Sequence, residues 1–376
     1  MVRQMPDVGA TNRRGGSGVE WDGGDVLDKS ALYSRRPGVD PCGTLSRGQV
    51  SLRGRYAPSP TGDLHLGNLR TALLAWLYAR CADGQFVLRV EDLDRPRVRP
   101  GATERMLNDL RWLGLDWDEG PDVGGPYAPY TQSERLVLYA HHLQRLRAAD
   151  LIYPCYCSRA EVARVASAPQ QGDDGPRYPD TCRYLTQAQR RQHEANKRRP
   201  SLRFRVNDER VVTFTDLLAG YREQHVQQVV GDFVVCRSDG IFAYQFAVVV
   251  DDALMHINQI VRGADLLHST ARQILLYEAL GFPIPSFVHV PLLLDTAGNR
   301  LAKRIQSAGL EPLRTAGATP AQVVSQLAAS CGLPPTIKES PAINRGATGE
   351  VISATGLVQQ YKERFYDIIA KMSWNA

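Results

Sequence analysis

The run APSPTGDLHLGN, residues 57–68, constrains this chain more than any other. GRYAPSP reads as a strand entering a loop whose prolines, Pro58 and Pro60, restrict the backbone to extended conformations. Beyond the loop, Leu69, Leu73, Leu74, Trp76 and Leu77 recur at helical spacing. FVLRVEDL then reads as a short apolar strand ending in acids. Strand, loop, helix and strand in that order make a βαβ unit, so the expected class is α/β with a parallel sheet. The loop opens a helix, and the free N–H groups and positive dipole end of that helix face whatever lies in front of it, which suits an anion. Gly62 and Gly67 allow close approach to the backbone, and His65 can hydrogen-bond a phosphate. By itself, a Pro- and Gly-bearing loop before a helix is as readily an ordinary helix cap.

The rest of the chain fits an α/β enzyme. MLNDLRWLGL and ERLVLYAHHLQRLRAADLI have the spacing of amphipathic helices. SLRFRV and VVTFTDLL suggest short strands, and FVVCRSDGIFAYQFAVVVDDALM carries a hairpin-like SDG turn between two apolar runs. GADLLHSTARQILLYEALG reads as a helix ended by Gly281, FVHVPLLL as a buried strand, and PAQVVSQLAASCGL as a last core helix. Residues 1–50 are rich in Gly, Arg, Ser and Asp without a sustained period and read as a disordered extension. Residues 341–376 contain one amphipathic stretch, VQQYKERFYDIIAKM, whose place in the fold the pattern does not give.

No run approaches the roughly 18 apolar residues of a membrane-spanning helix, and the first residues lack the apolar stretch of a secretory signal. A cytoplasmic monomer with no membrane partner is the expectation. Net charge is +5, compatible with a polyanion such as RNA but weak evidence alone. Of seven cysteines, Cys155, Cys157 and Cys182 cluster between about residues 153 and 197, a polar stretch that reads as an insertion. Three thiolates so spaced suit a structural zinc that needs one more ligand, for which His193 is the ordinary chemical candidate. Buried free cysteines are the competing reading. Cys42, Cys81, Cys236 and Cys331 are isolated.

The blocks GRYAPSPTGDLHLGNLRTAL, LRVEDLDRPR, GIFAYQFAVVVDD, IVRGADLL and HVPLLLDTAGNRLAKR, in this order, resemble the glutamyl branch of class I aminoacyl-tRNA synthetases from Arg53 to about Arg314. The resemblance is greatest to the truncated members of that branch, which lack the anticodon-binding part. It implies a Rossmann-like parallel sheet with a zinc-bearing insertion, and a catalytic domain over 51–314. A helical part would follow over 315–340. The signature HIGH segment corresponds to the residues around His65, which with Gly67, Asn68 and Lys303 would bind ATP, accompanied by Mg²⁺. RLAKR, residues 300–304, stands where the family has its KMSKS loop. Lys303 is the one identical residue there. Arg300 preserves charge and Leu301 bulk, while Ala302 and Arg304 each remove a hydroxyl. His65 and Lys303 are thus the implied catalytic pair.

The same resemblance assigns L-glutamate to Arg55, Tyr56, Ala57, Pro58, Ser59, Glu91, Tyr244 and Arg262, and makes Tyr178 the fourth zinc ligand beside Cys155, Cys157 and Cys182. The chemistry agrees: arginines meet carboxylates and an acid meets the ammonium. The implied reaction is ATP-dependent activation of glutamate and its transfer to queuosine in the anticodon of tRNA(Asp). Charging of tRNA(Glu) by a compact synthetase is the alternative, although only about 70 residues follow Arg304. A non-catalytic, RNA-binding paralogue is the other, favoured by the altered RLAKR loop.

Overall fold

The βαβ unit forms around the loop as expected. In the computed structural model, β1 (Arg53–Tyr56) leads through the loop to α1 (Leu66–Arg80) and returns as β2 (Gln85–Leu88), paired parallel to β1. The residues described are 51–165, 177–292, 309–333 and 352–370, all within the unit Gln49–Ala376. The readings of residues 1–50 as disordered, of Cys42, of the RLAKR loop with Lys303, and of 341–351 lie outside them. α1 is apolar nearly all round, with Leu69, Leu73, Leu74 and Leu77 fully buried, as a helix sandwiched between a sheet and further helices must be.

The chain continues through α2 (Ala102–Trp112), α3 (Leu136–Ala148), β3 (Ile152–Cys155), α4 (Arg159–Val165), α5 (Gln187–Ala195), β4 (Ser201–Phe204), β5 (Val211–Asp216), β6 (Gly220–His225) and β7 (Phe233–Cys236). After these come α6 (Tyr244–Leu254), β8 (Gln259–Gly263), α7 (Thr270–Leu280), β9 (Ser286–Val290), α8 (Glu311–Thr315), α9 (Pro320–Ala329), α10 (Ala354–Tyr361) and α11 (Phe365–Ala370). The main sheet has the order β2-β1-β8-β9-β5-β6. Its strands run parallel except β6, which pairs antiparallel with β5 at one edge. A second sheet, β3-β4-β7, is antiparallel and carries the cysteine-rich stretch.

One reading changes. The SDG turn forms, with Arg237 N–H donating to Ile241 O at 2.8 Å and Gly240 at φ +87, but only an isolated bridge, Cys236 to Phe242, follows it. The second apolar run is the helix α6, although Val248, Val249 and Val250 favour strands. Phe246 to Asp252 are all buried, and burial on several sides overrides local β-propensity. The unplaced C-terminal stretch also finds its position. Phe365 meets Tyr78 of α1 edge-on at 5.0 Å, and the Tyr366 hydroxyl donates to the Tyr78 carbonyl at 2.9 Å. Gly281 closes α7 in the left-handed region, at φ +66.

Candidate active site

A cavity of about 930 Å³ opens beyond the carboxyl ends of β1, β8 and β9, where the strand order reverses about β1. Ligands in open α/β sheets are bound at such switch points. Its lining brings together Arg55, Tyr56, Ala57, Pro58, Ser59, His65, Gly67, Asn68, Glu91, Tyr244 and Arg262. Every glutamate- and ATP-directed residue expected from the sequence is therefore on this wall except Lys303, which lies outside the described residues.

One side is the start of α1. His65 is its N-cap, with extended φ −84 and ψ 165, and its Nδ1 accepts the Asn68 N–H at 3.2 Å. That bond needs a lone pair on Nδ1, so a neutral ring carries its proton on Nε2, where it can be donated to an anion. Burial lowers the His65 pKa, against the opposing pull of Asp265, and so favours the neutral ring. Gly67 is small for a reason: a Cβ there would sit 3.1 Å from the imidazole.

The opposite side is charged and buried. Asp252 bridges two arginines, receiving Arg55 Nε at 3.2 Å and Arg89 Nη1 at 2.7 Å. Arg89 also holds Glu91, at 3.0 Å, and lies near Asp251, which takes Arg135 Nε at 2.6 Å. Burial raises the Asp252 pKa, but Arg55 and Arg89 outweigh it and the carboxyl sits below its usual range. Glu91 differs. Burial wins over Arg89 and Arg55 and its pKa is raised, so an arriving cation would relieve it. Tyr244 stands at the start of α6, 38% exposed beside the cavity. Arg262 donates to His289, Gln273 and Thr270 behind the wall.

Sequence reasoning missed Arg89, Asp251, Asp252, Asp216 and His289. The doublet after VVV in α6 was a usable signal, because two adjacent acids closing an apolar helix are expensive to bury without cations.

In the second sheet, the Sγ atoms of Cys155, Cys157 and Cys182 lie within 4.8 Å of one another. The Tyr178 hydroxyl is 3.3 Å from Cys155 Sγ. His193 is outside that cluster, its ring stacked on Tyr156 at 4.7 Å. Bonds from Cys157 and Cys182, with Arg203 Nε at 3.2 Å, favour the thiolate at Cys155. Three converging sulfurs fit a soft divalent cation. Cys81 and Cys331 are buried in the core, and Cys236 is half-buried.

A parallel sheet with a helix start and a paired-charge wall at its switch point accords with the fold of a synthetase catalytic domain. Residues 51–358 match the family model "tRNA synthetases class I (E and Q), catalytic domain", and the chain belongs to that family. It is 58% identical over 283 residues to a glutamyl-Q tRNA(Asp) synthetase of Symbiobacterium thermophilum, covering 75% of this chain and 87% of that one. It is 48% identical to a glutamate–tRNA ligase 2 of Acidithiobacillus ferrooxidans, covering 74% of this chain but 58% of that protein's length. The crystal structure of a glutamate tRNA ligase from Elizabethkingia meningosepticum, in complex with its amino acid, superposes with TM-score 0.67 at 30% identity, over 82% of this chain and 64% of that one. No described helix is long and apolar enough to cross a membrane.

Proposed function

We propose that this chain activates L-glutamate with ATP and transfers it to queuosine in the anticodon of tRNA(Asp). The observation that carries the activation step is the cavity itself, with a phosphate-suited helix start facing a wall of arginines and one cation-seeking acid. The glutamate carboxylates meet Arg55 and Arg262, its ammonium meets Glu91, and Tyr244 meets a polar end. A carboxylate oxygen attacks the α-phosphorus of ATP, and the bond to the bridging oxygen breaks as pyrophosphate leaves. Amides at the start of α1, the His65 Nε2–H and Lys303 stabilise the charge that builds on the phosphates, which carry Mg²⁺. A nucleophilic atom of the modified base then displaces AMP from the glutamyl carbonyl. Support for that acceptor comes from the relatives named glutamyl-Q tRNA(Asp) synthetase, which the chain matches over 87% of their length.

Cys155, Cys157, Cys182 and Tyr178 are the proposed zinc ligands; the metal would pin the second sheet and has no part in the chemistry. The activation step is tested by ATP–pyrophosphate exchange with glutamate, aspartate and glutamine offered separately. Exchange with glutamate alone is expected, and its absence, with and without tRNA, contradicts the reading.

A further inference from the structure

Arg262 is gripped from behind by groups to which the sequence assigns no role. Its Nε donates to His289 Nε2 at 2.9 Å, its Nη1 to Gln273 at 2.7 Å, and its Nη2 to Thr270 Oγ1 at 2.9 Å and the Leu266 carbonyl at 3.4 Å. One Nη1 N–H stays without a partner among the described residues. On the far side of the imidazole, Nδ1 lies 2.6 Å from Asp216 Oδ2. Asp216 is itself fixed at the end of β5: its Oδ1 takes the N–H groups of Leu218 at 3.0 Å and Ala219 at 2.7 Å, and Oδ2 that of His289 at 3.1 Å. Both side chains are fully buried.

These neighbours leave the ring one arrangement. A guanidinium only donates, so Nε2 must offer its lone pair; a carboxylate only accepts, so Nδ1 must carry the proton. The Thr270 hydroxyl, 3.3 Å from Nε2, is compatible with the same assignment. Burial, with the Arg262 charge assisting and Asp216 opposing, lowers the His289 pKa to about 4, so the ring is neutral near pH 7.

We propose that Asp216 and His289 are positioning residues for glutamate recognition. Asp216 fixes the Nδ1–H tautomer, and the Nε2 lone pair holds the Arg262 guanidinium in the orientation that presents its spare N–H to a substrate carboxylate. The proposal rests on the reading of Arg262 as a glutamate-binding group.

Asp216→Asn is the informative substitution. Its amide oxygen can keep the bonds to Leu218 and Ala219, but its NH₂ must donate to Nδ1. The ring proton then moves to Nε2 and confronts the Arg262 N–H. In the full chain, ¹⁵N spectra of labelled histidine should show Nδ1–H in the native protein and Nε2–H in the variant. Calorimetry should show glutamate affinity falling about tenfold or more, as expected when a charged donor loses its acceptor, while ATP affinity stays within about twofold. A native ring protonated at Nε2 overturns the proposal, as do a switched tautomer with unchanged glutamate affinity and an equal loss for both ligands. A native Nδ1–H spectrum without glutamate binding instead sinks the glutamate reading, and with it the role in recognition. If Asp216→Asn does not fold, His289→Gln, which still offers an oxygen to Arg262, should bind glutamate at least about fivefold more tightly than His289→Leu; equal affinities would refute the positioning role.

Discussion

The two sides of the cavity are built by opposite means. The side proposed for the nucleotide uses backbone: a helix start whose amides and dipole carry no formal charge, finished by a neutral imidazole whose Nδ1 caps Asn68. The side proposed for the amino acid uses full charges, with Arg55 and Arg89 sharing Asp252, and Arg262 set against His289. A triphosphate arrives with its own counter-ion and needs dipoles, whereas a small dicarboxylate with one ammonium needs fixed partners of both signs. The first solution is local, contained within residues 57–68. The second is held by residues as far apart in sequence as Arg89 and Asp252 and depends on every pairing.

That contrast predicts unequal responses to mutation. Asp252→Ala strands two buried guanidinium groups, which costs about 3–5 kcal/mol in comparable buried pairs. Urea unfolding of the variant should show a loss of that order, and a loss below about 1 kcal/mol would mean that the charges are not coupled as described. Lys303→Ala should leave glutamate binding intact and slow pyrophosphate exchange about a hundredfold, because under the proposed reaction the cation acts on charge that develops only in the transition state. Unchanged exchange would remove RLAKR from the catalytic machinery.

Acid separates the sides by a smaller margin. The His289 pKa is lowered from 6.5 to about 4, so the folded state binds fewer protons than the unfolded state between those values. Stability from this group is present above about pH 6.5 and is lost as pH falls toward 4. At pH 5 the loss is about 2 kcal/mol. His289→Gln should flatten this part of the pH–stability curve, and an identical curve would show that the ring does not titrate as described. Smaller still is the expected effect on activation of Cys182→Ala, whose sulfur lies near Cys155 of the second sheet, away from the cavity lining. Zinc content should fall from one per chain while pyrophosphate exchange stays within about threefold, as independent sites behave. A zinc-free native protein would refute the metal assignment. The smallest effect should come from a chain beginning at Ser51, since the sequence of residues 1–50 shows no sustained apolar period. Loss of fold or exchange in that truncate would contradict their reading as an extension.

The same contrast explains how much could be read in the sequence. The helix-start side was legible because residues 57–68 are contiguous, so the loop, cap and helix start are one string. Arg55, Glu91, Tyr244 and Arg262 came from resemblance rather than pattern, since β1, the end of β2, α6 and β8 meet only through the sheet order. Their supports were not recognised: Asp251 and Asp252 close an apolar run that follows a hairpin-like turn, and α6 buries them completely. His289 read as one residue of an apolar strand, because nothing local announces that Asp216 will lie beside it. For the cysteines, spacing gave the cluster and resemblance gave Tyr178; the fold puts the Tyr178 hydroxyl beside Cys155 and the His193 ring against Tyr156.

Transfer to a modified anticodon base is tested most directly by offering labelled glutamate and ATP with tRNA(Asp) containing queuosine, the same tRNA without it, and tRNA(Glu). Label is predicted on the queuosine-containing tRNA(Asp) alone, in an amount that falls as salt rises, because binding includes phosphate contacts. Label on tRNA(Glu), or equal label on tRNA(Asp) with and without queuosine, would contradict it.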